Sequence, residues 1–141
     1  MKILVINGPN LNMLGRRNPE QYGNFTYTDL IRSLEAFAAE KKIELEVFQS
    51  NHEGELIDKI HDALDTKDGL VINPGALTHY SYALRDALEM LEIPKVEVHL
   101  SNIFKREEFR HKSTISPVCD GVISGLGAKG YFLAIEYILE K

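Results

Sequence analysis

A single cysteine, Cys119, stands among 141 residues, so neither an internal disulfide nor a thiolate metal cluster can form within the chain. It lies in the apolar segment Val118-Cys119-Asp120-Gly121-Val122-Ile123, where a structural thiol is expected rather than a nucleophile. There is no basic excess either: 16 lysines and arginines face 21 acidic residues, a net charge of −5. That removes the electrostatic footprint of a nucleic-acid or anionic-membrane binder, although a few arginines in one cleft can still receive an anionic small molecule. No apolar run is long enough for a membrane span, and Ile3-Leu4-Val5-Ile6 is too short for the core of a signal peptide, so the expected compartment is the cytoplasm. No linker, internal repeat or low-complexity stretch interrupts the chain, which reads as one domain over residues 1–141.

What is present is an alternation of short apolar runs with segments of helical period. Ile3–Ile6, Ile43–Phe48, Gly69–Ile72, Val96–His99 and Val118–Ile123 read as strands, several rich in Val and Ile. Leu30, Ile31, Leu34, Phe37 and Ala38 form one helical stripe, and Leu56, Ile57, Ile60 and Leu64 a second. Ala83, Leu84, Ala87, Leu88 and Leu91 form a third, and Phe132, Ile135, Ile138 and Leu139 a fourth. Thr26 with Asp29 three residues on is an acidic variant of the capping box, and Ile93-Pro94 closes the third helix. Near-continuous apolar strands separated by helices imply a parallel sheet covered on both faces. The expected fold is α/β: a flavodoxin-like, doubly wound, five-stranded parallel sheet in three αβα layers. Only Leu100–Ser116 is irregular, a charged stretch expected to be a loop with one short helix.

In such sheets a ligand sits beyond the carboxyl ends of the strands, where strand order reverses. With order 2-1-3-4-5 the crevice is lined by Gly8–Phe25, Pro74–Thr78 and the start of Leu100–Ser116. These loops carry the chain's most unusual residues: Asn10, Arg16-Arg17 and Tyr22, then Asn73 and His79, then His99. Taken singly, each has an ordinary role as turn former, solvated charge or packing anchor; ordinary roles do not account for their convergence on one edge. His61, on a helix, is expected to be a surface residue.

Three patterns imitate other functions. Gly125-Leu126-Gly127-Ala128-Lys129-Gly130 is literally a GxGxxG, but no later strand with an acidic residue about 20 positions on follows it. Its glycines are expected to serve a tight turn and close helix–sheet packing. A receiver domain of the same fold needs an acidic phosphoacceptor at the end of the third strand, where this chain has Asn73-Pro74. His79 and His99 lack a carboxylate at ligand spacing other than Glu97, so no metal site is expected. Glu97 and His99 are i and i+2 on a strand and share a face, which suits Glu97 to orienting the imidazole.

With no metal, cofactor or thiol expected, the remaining chemistry is proton transfer on a small polar ligand. The arginines and the backbone N–H groups after Leu100 suit an anion such as a carboxylate. A tyrosine acts as base only as phenolate, and lowering its reference pKa from about 10 to about 7 needs roughly 4 kcal/mol. One arginine at about 4 Å supplies approximately that at an effective dielectric near 20. A flavodoxin-like module binding a nucleotide or flavin, and a catalytically dead oligomeric scaffold, are the alternatives.

The residues also carry a resemblance. Asn7-Gly8-Pro9-Asn10-Leu11-Asn12-Met13-Leu14-Gly15-Arg16-Arg17 with Tyr22-Gly23 resembles the opening signature of the type II 3-dehydroquinate dehydratases. Ile72–Ser81 resembles their second block. Glu97-Val98-His99-Leu100-Ser101-Asn102 with Phe104, Arg106, Glu107 and Arg110 resembles the third, and Gly125-Leu126-Gly127 the last turn. The similarity spans essentially the whole chain, with no departure at a motif position. It implies dehydration of 3-dehydroquinate to 3-dehydroshikimate in the shikimate pathway of aromatic amino acid biosynthesis, by anti elimination through an enolate, without a cofactor or Schiff base. By matching position it implies Tyr22 as base with its phenolate favoured by Arg17, Asn10 as holder of an enolate-stabilising water, and His99, steadied by Glu97, as acid. It further implies that Asn73, His79 and Arg110 bind ring hydroxyls and that the backbone of Leu100 and Ser101 binds the carboxylate. The family assembles as a dodecamer of four trimers, which would bring Asp86 near a neighbour's site; Asp86 does lie off its helix's apolar stripe.

Overall fold

The computed structural model describes residues 1–16, 20 and 24–141. Five strands, β1 (Lys2–Asn7), β2 (Glu44–Gln49), β3 (Gly69–Asn73), β4 (Lys95–His99) and β5 (Gly121–Ser124), form one sheet. Every pairing is parallel and the order is β2-β1-β3-β4-β5, the doubly wound arrangement expected from the alternation of elements. Among the described residues four α-helices cover it: α1 (Tyr27–Lys41), α2 (Glu53–Ala63), α3 (Tyr82–Glu89) and α4 (Lys129–Leu139).

Successive residues of β1 feed opposite faces of the sheet. Ile3 and Val5 pack with Leu30 and Leu34 of α1 and with Tyr131, Ile135 and Ile138 of α4. Leu4 and Ile6 pack with Leu56 and Ile60 of α2 and with Leu84 and Leu88 of α3. The result is three layers with a core on each side of the sheet. An isolated helix of the length of α2 is marginal in water. Leu56 and Ile60 are fully buried, and each such burial contributes roughly 1.5–3 kcal/mol, so docking rather than propensity holds α2.

Local signals act as read. The Thr26 side chain accepts from Asp29 N at 3.1 Å while the Asp29 carboxylate accepts from Thr26 N at 3.0 Å, a complete capping box. Gly125 has φ +90°, and a side chain there would bring a Cβ to 2.9 Å from Asn102 Cβ. A Cβ on Gly130 would meet Val98 and Ile123 side chains at 3.2 and 3.3 Å, so the GxGxxG segment makes a left-handed turn and seats α4 closely on the sheet. His61 is exposed, as expected.

Three details differ from expectation. β5 begins at Gly121 rather than Val118, because Ser116–Val118 forms a 3-10 turn with proline in its first positions. The third helix ends at Glu89, ahead of Ile93-Pro94. The segment 100–116 holds two complete 3-10 turns, Ile103–Lys105 and Glu108–His111, instead of one short helix. Hydrogen bonds rather than an apolar stripe fix its far end: Thr114 N and Oγ1 both donate to Thr78 O, at 2.7 and 3.0 Å, and Arg85 Nη1 donates to Thr114 O at 3.1 Å. Among the described residues no helix is long and apolar enough to cross a membrane.

Candidate active site

The carboxyl ends of β1, β3 and β4 open into one cavity of about 170 Å³. From the loop after β1 come Pro9, Asn10, Leu11 and Leu14; from the turn after β3 come Gly75, Ala76 and His79, beside Asn73 itself. His99 at the end of β4, then Leu100, Ser101, Ile103, Arg106 and Arg110, complete the wall. This is the crevice at the reversal of strand order that the architecture requires.

The structure thus brings Asn10, Asn73, His79, His99, Leu100, Ser101 and Arg110 to a single cavity. Asp86 is exposed on α3 and does not line it. Arg17 and Tyr22 lie outside the described residues. Among the described residues no group of three or more His, Cys, Asp or Glu side chains is placed to hold a metal ion.

Glu97 and His99 point the same way from β4, and His99 Nε2 contacts Glu97 Oε2 directly. Glu97 is fully buried, which by itself would raise its carboxyl pKa. Opposing this are His99 and two hydroxyls: Thr78 Oγ1 donates to Oε2 at 2.5 Å, and Ser113 Oγ donates to Oε1 at 2.8 Å. Together these donors outweigh burial and hold the carboxyl below its ordinary value. The outcome is a buried carboxylate with donors on both oxygens, engaging Nε2 of His99 and leaving Nδ1 as the nitrogen available for chemistry.

His79 has a different environment. Its Nδ1 lies 2.8 Å from Lys112 O, and a carbonyl only accepts, so Nδ1 carries the hydrogen. Burial lowers the His79 pKa, more than the Lys112 carbonyl raises it. A neutral ring so oriented offers Nε2 as an acceptor. The two imidazoles stack with centroids 6.4 Å apart, and Phe109 abuts His79 edge-on at 5.8 Å.

The start of the irregular segment is held against the glycine turn after β5. Gly125 N donates to His99 O at 3.2 Å, and Gly127 N donates to Leu100 O at 3.0 Å. In a trans peptide the following N–H points opposite to the carbonyl, so the N–H groups of Leu100 and Ser101 point away from the glycine turn, and both residues line the cavity. Arg106 Nη1 donates to Ser101 Oγ at 3.2 Å, and Arg110 Nε donates to Glu107 Oε1 at 3.1 Å. Asn10 takes φ +71° with its N–H on Asn51 Oδ1 at 2.9 Å, a left-handed turn that asparagine tolerates and that carries the chain across the cavity rim. Cys119 is half-buried outside the cavity, and burial pushes its thiol up to about 12, the state of a protonated structural thiol.

Sequence reasoning gave no role to Arg106, Thr78, Ser113 or Tyr131. Arg106 and Thr78 fall inside the motif blocks, which was their only signal. Ser113 and Tyr131 had none, because they reach the site from distant segments.

The family model described as Dehydroquinase class II matches residues 1–139. A protein of Thermotoga neapolitana named 3-dehydroquinate dehydratase is 67% identical over 98% of this chain and 94% of its own length. One of the same name from Thermotoga maritima is 62% identical, over 100% of this chain and 96% of its own. Among solved structures, the type II dehydroquinase from Butyrivibrio crossotus superposes with a TM-score of 0.97 at 56% identity, covering 99% of this chain and 97% of that one. The chain belongs to the class II dehydroquinase family.

Proposed function

We propose that this protein dehydrates 3-dehydroquinate to 3-dehydroshikimate in the shikimate pathway, as a cytoplasmic enzyme. The observation that carries the proposal is the cavity at the strand ends, which combines a carboxylate-braced histidine with amide and guanidinium donors. Whole-length similarity to proteins named for this reaction supports it.

The reaction is an anti elimination. The Tyr22 phenolate, favoured by Arg17, takes the C2 proton, and the electron pair moves onto the C3 carbonyl oxygen as an enolate. A water held by Asn10 stabilises that oxygen. The enolate then collapses, the C1–O bond breaks, and His99 supplies the proton that lets hydroxide leave as water. Glu97 stabilises the imidazolium from which that proton comes. One turnover leaves Tyr22 protonated and His99 neutral, so a net proton return from tyrosine to histidine resets the enzyme.

The shared cavity lining supports the binding roles as well. The N–H groups of Leu100 and Ser101 receive the substrate carboxylate, and Asn73, His79 and Arg110 bind ring hydroxyls. Asp86, outward on α3, acts near the site of a neighbouring chain in a dodecamer of four trimers.

The test is ultraviolet absorbance after adding 3-dehydroquinate to enzyme treated with EDTA and borohydride. Growth of a conjugated-enone band is the expected result. A flat trace from folded protein both with and without treatment rejects the proposal; activity lost only on treatment rejects the mechanism.

A further inference from the structure

Asn73 is held by more than its strand. Its Oδ1 accepts from Gly75 N at 3.2 Å, and its Nδ2 lies 2.9 Å from the hydroxyl of Tyr131 on α4. A backbone N–H can only donate, so the Gly75 contact settles which end of the carboxamide is oxygen. Nδ2 is then the donor to Tyr131, and the tyrosine oxygen accepts. The one hydroxyl hydrogen of Tyr131 goes to Asn7 Oδ1, 2.6 Å away at the end of β1, and Asn7 Nδ2 faces the Tyr27 hydroxyl at 3.4 Å. Each direction in this chain of bonds follows from the Gly75 N–H.

The network is dry. Asn7 and Tyr131 are fully buried and Asn73 is 3% exposed. Burial pushes the Tyr131 phenol well above its ordinary value, so it stays a neutral donor and acceptor and takes no part in proton transfer. Of the two Nδ2 hydrogens of Asn73, Tyr131 takes one, and the other remains for the cavity that Asn73 lines.

We infer that Tyr131 is a positioning residue for substrate binding: by accepting one Asn73 N–H while Gly75 holds the carbonyl, it fixes the amide so that Asn73 presents a donor, and the ligand atom it meets is a hydroxyl oxygen acting as acceptor. This rests on the reading of the cavity as the 3-dehydroquinate site. A tyrosine serving only to fill the core would tolerate phenylalanine at some cost in stability and none in substrate affinity. Here removal of the hydroxyl frees the Asn73 amide to turn and leaves buried polar groups without a partner.

The experiment is steady-state kinetics with 3-dehydroquinate on the wild type, Tyr131→Phe, Asn73→Ala and the double variant, with Tm recorded for each. Tyr131→Phe is expected to raise KM about tenfold, the size expected when a buried group loses its hydrogen bond, with kcat moving far less. The double variant is expected to match the KM of Asn73→Ala, because the first substitution acts through the residue the second removes. A Tyr131→Phe enzyme with lowered Tm and unchanged KM overturns the inference, and so do KM effects that multiply in the double variant. If Tyr131→Phe does not fold, Asn7→Ala is used, which removes the acceptor of the Tyr131 hydroxyl and keeps the ring. A raised KM in Asn7→Ala supports the inference and an unchanged one overturns it. A wild type that is folded but inert towards 3-dehydroquinate overturns the reading of the site itself, which separates that failure from this one.

Discussion

Glu97 and His99, two residues apart on β4, meet through Oε2 and Nε2 at the inner wall of the cavity, with the carboxylate fully buried behind the ring. This contact fixes the tilt of the imidazole and places a negative charge next to it at neutral pH. Replacing the charge while keeping the shape separates the two effects. Glu97→Gln is expected to lower kcat by about a hundredfold, within the usual range for loss of an effective general acid, with a smaller change in KM. Stopped-assay kinetics on the purified variant checks this.

The same carboxylate sets an acid limit on stability. Its pKa is held down in the folded protein, so its contribution is complete above the unfolded carboxyl value of about 4.3 and is lost as pH falls through the lower folded value. The Tm difference between wild type and Glu97→Gln is therefore expected to be constant at neutral pH and to shrink below about pH 4. A difference that is flat down to strongly acid pH counts against this account.

His79 governs a separate pH dependence. Burial keeps its ring neutral below the ordinary imidazole value, with Nδ1–H on Lys112 O and Nε2 as acceptor. Protonation converts Nε2 to a donor, so KM is expected to stay level as pH falls through about 6.5, the reference imidazole value, and to rise only at lower pH, as the lowered folded value is crossed. In His79→Gln that acid limb is expected to disappear from the pH profile of KM, at the cost of a higher KM throughout.

Removal of the proposed acid and base should affect rate rather than folding. Tyr22→Phe is expected to abolish turnover while circular dichroism and assembly by light scattering stay as in the wild type. Substantial residual activity would remove tyrosine from the base role. His99→Ala is expected to lose turnover more than binding; a defect confined to affinity would count against it as proton donor.

Gly8 tests the geometry of the cavity mouth. A Cβ there would lie 2.4 Å from Pro74 O and 2.6 Å from Pro74 C, backbone atoms of the turn after β3. Gly8→Ala is expected to cost about 1–3 kcal/mol by overpacking and to raise KM, because it pushes the Asn10 side of the cavity away from Asn73. Urea denaturation and the KM for 3-dehydroquinate are the two readouts.

Much of this was legible from local order along the chain. Apolar runs marked the strands, and the helical stripes marked the helices to within their frayed ends, where Leu64 and Ala83 turn out exposed. The Thr26–Asp29 capping box and the shared face of Glu97 and His99 follow from spacings of three and two. Strand order then places the ends of β1, β3 and β4 together, so Asn10, Asn73 and His99 were found as a group. The 3-10 turns of the segment 100–116 were not legible, because its bonds to Thr78 and Arg85 leave no periodic trace.

The chain's own pattern determines a doubly wound parallel sheet and the edge at which its chemistry gathers, because hydrophobic period and strand-end position are short-range properties. Which polar groups hold the reactive ones in place was decided only in three dimensions. Thr78 and Ser113 reach Glu97 from 19 and 16 residues away, and Tyr131 reaches Asn7 across 124. A buried donor must find an acceptor wherever the fold brings one near, and that requirement acts through space, not along the sequence.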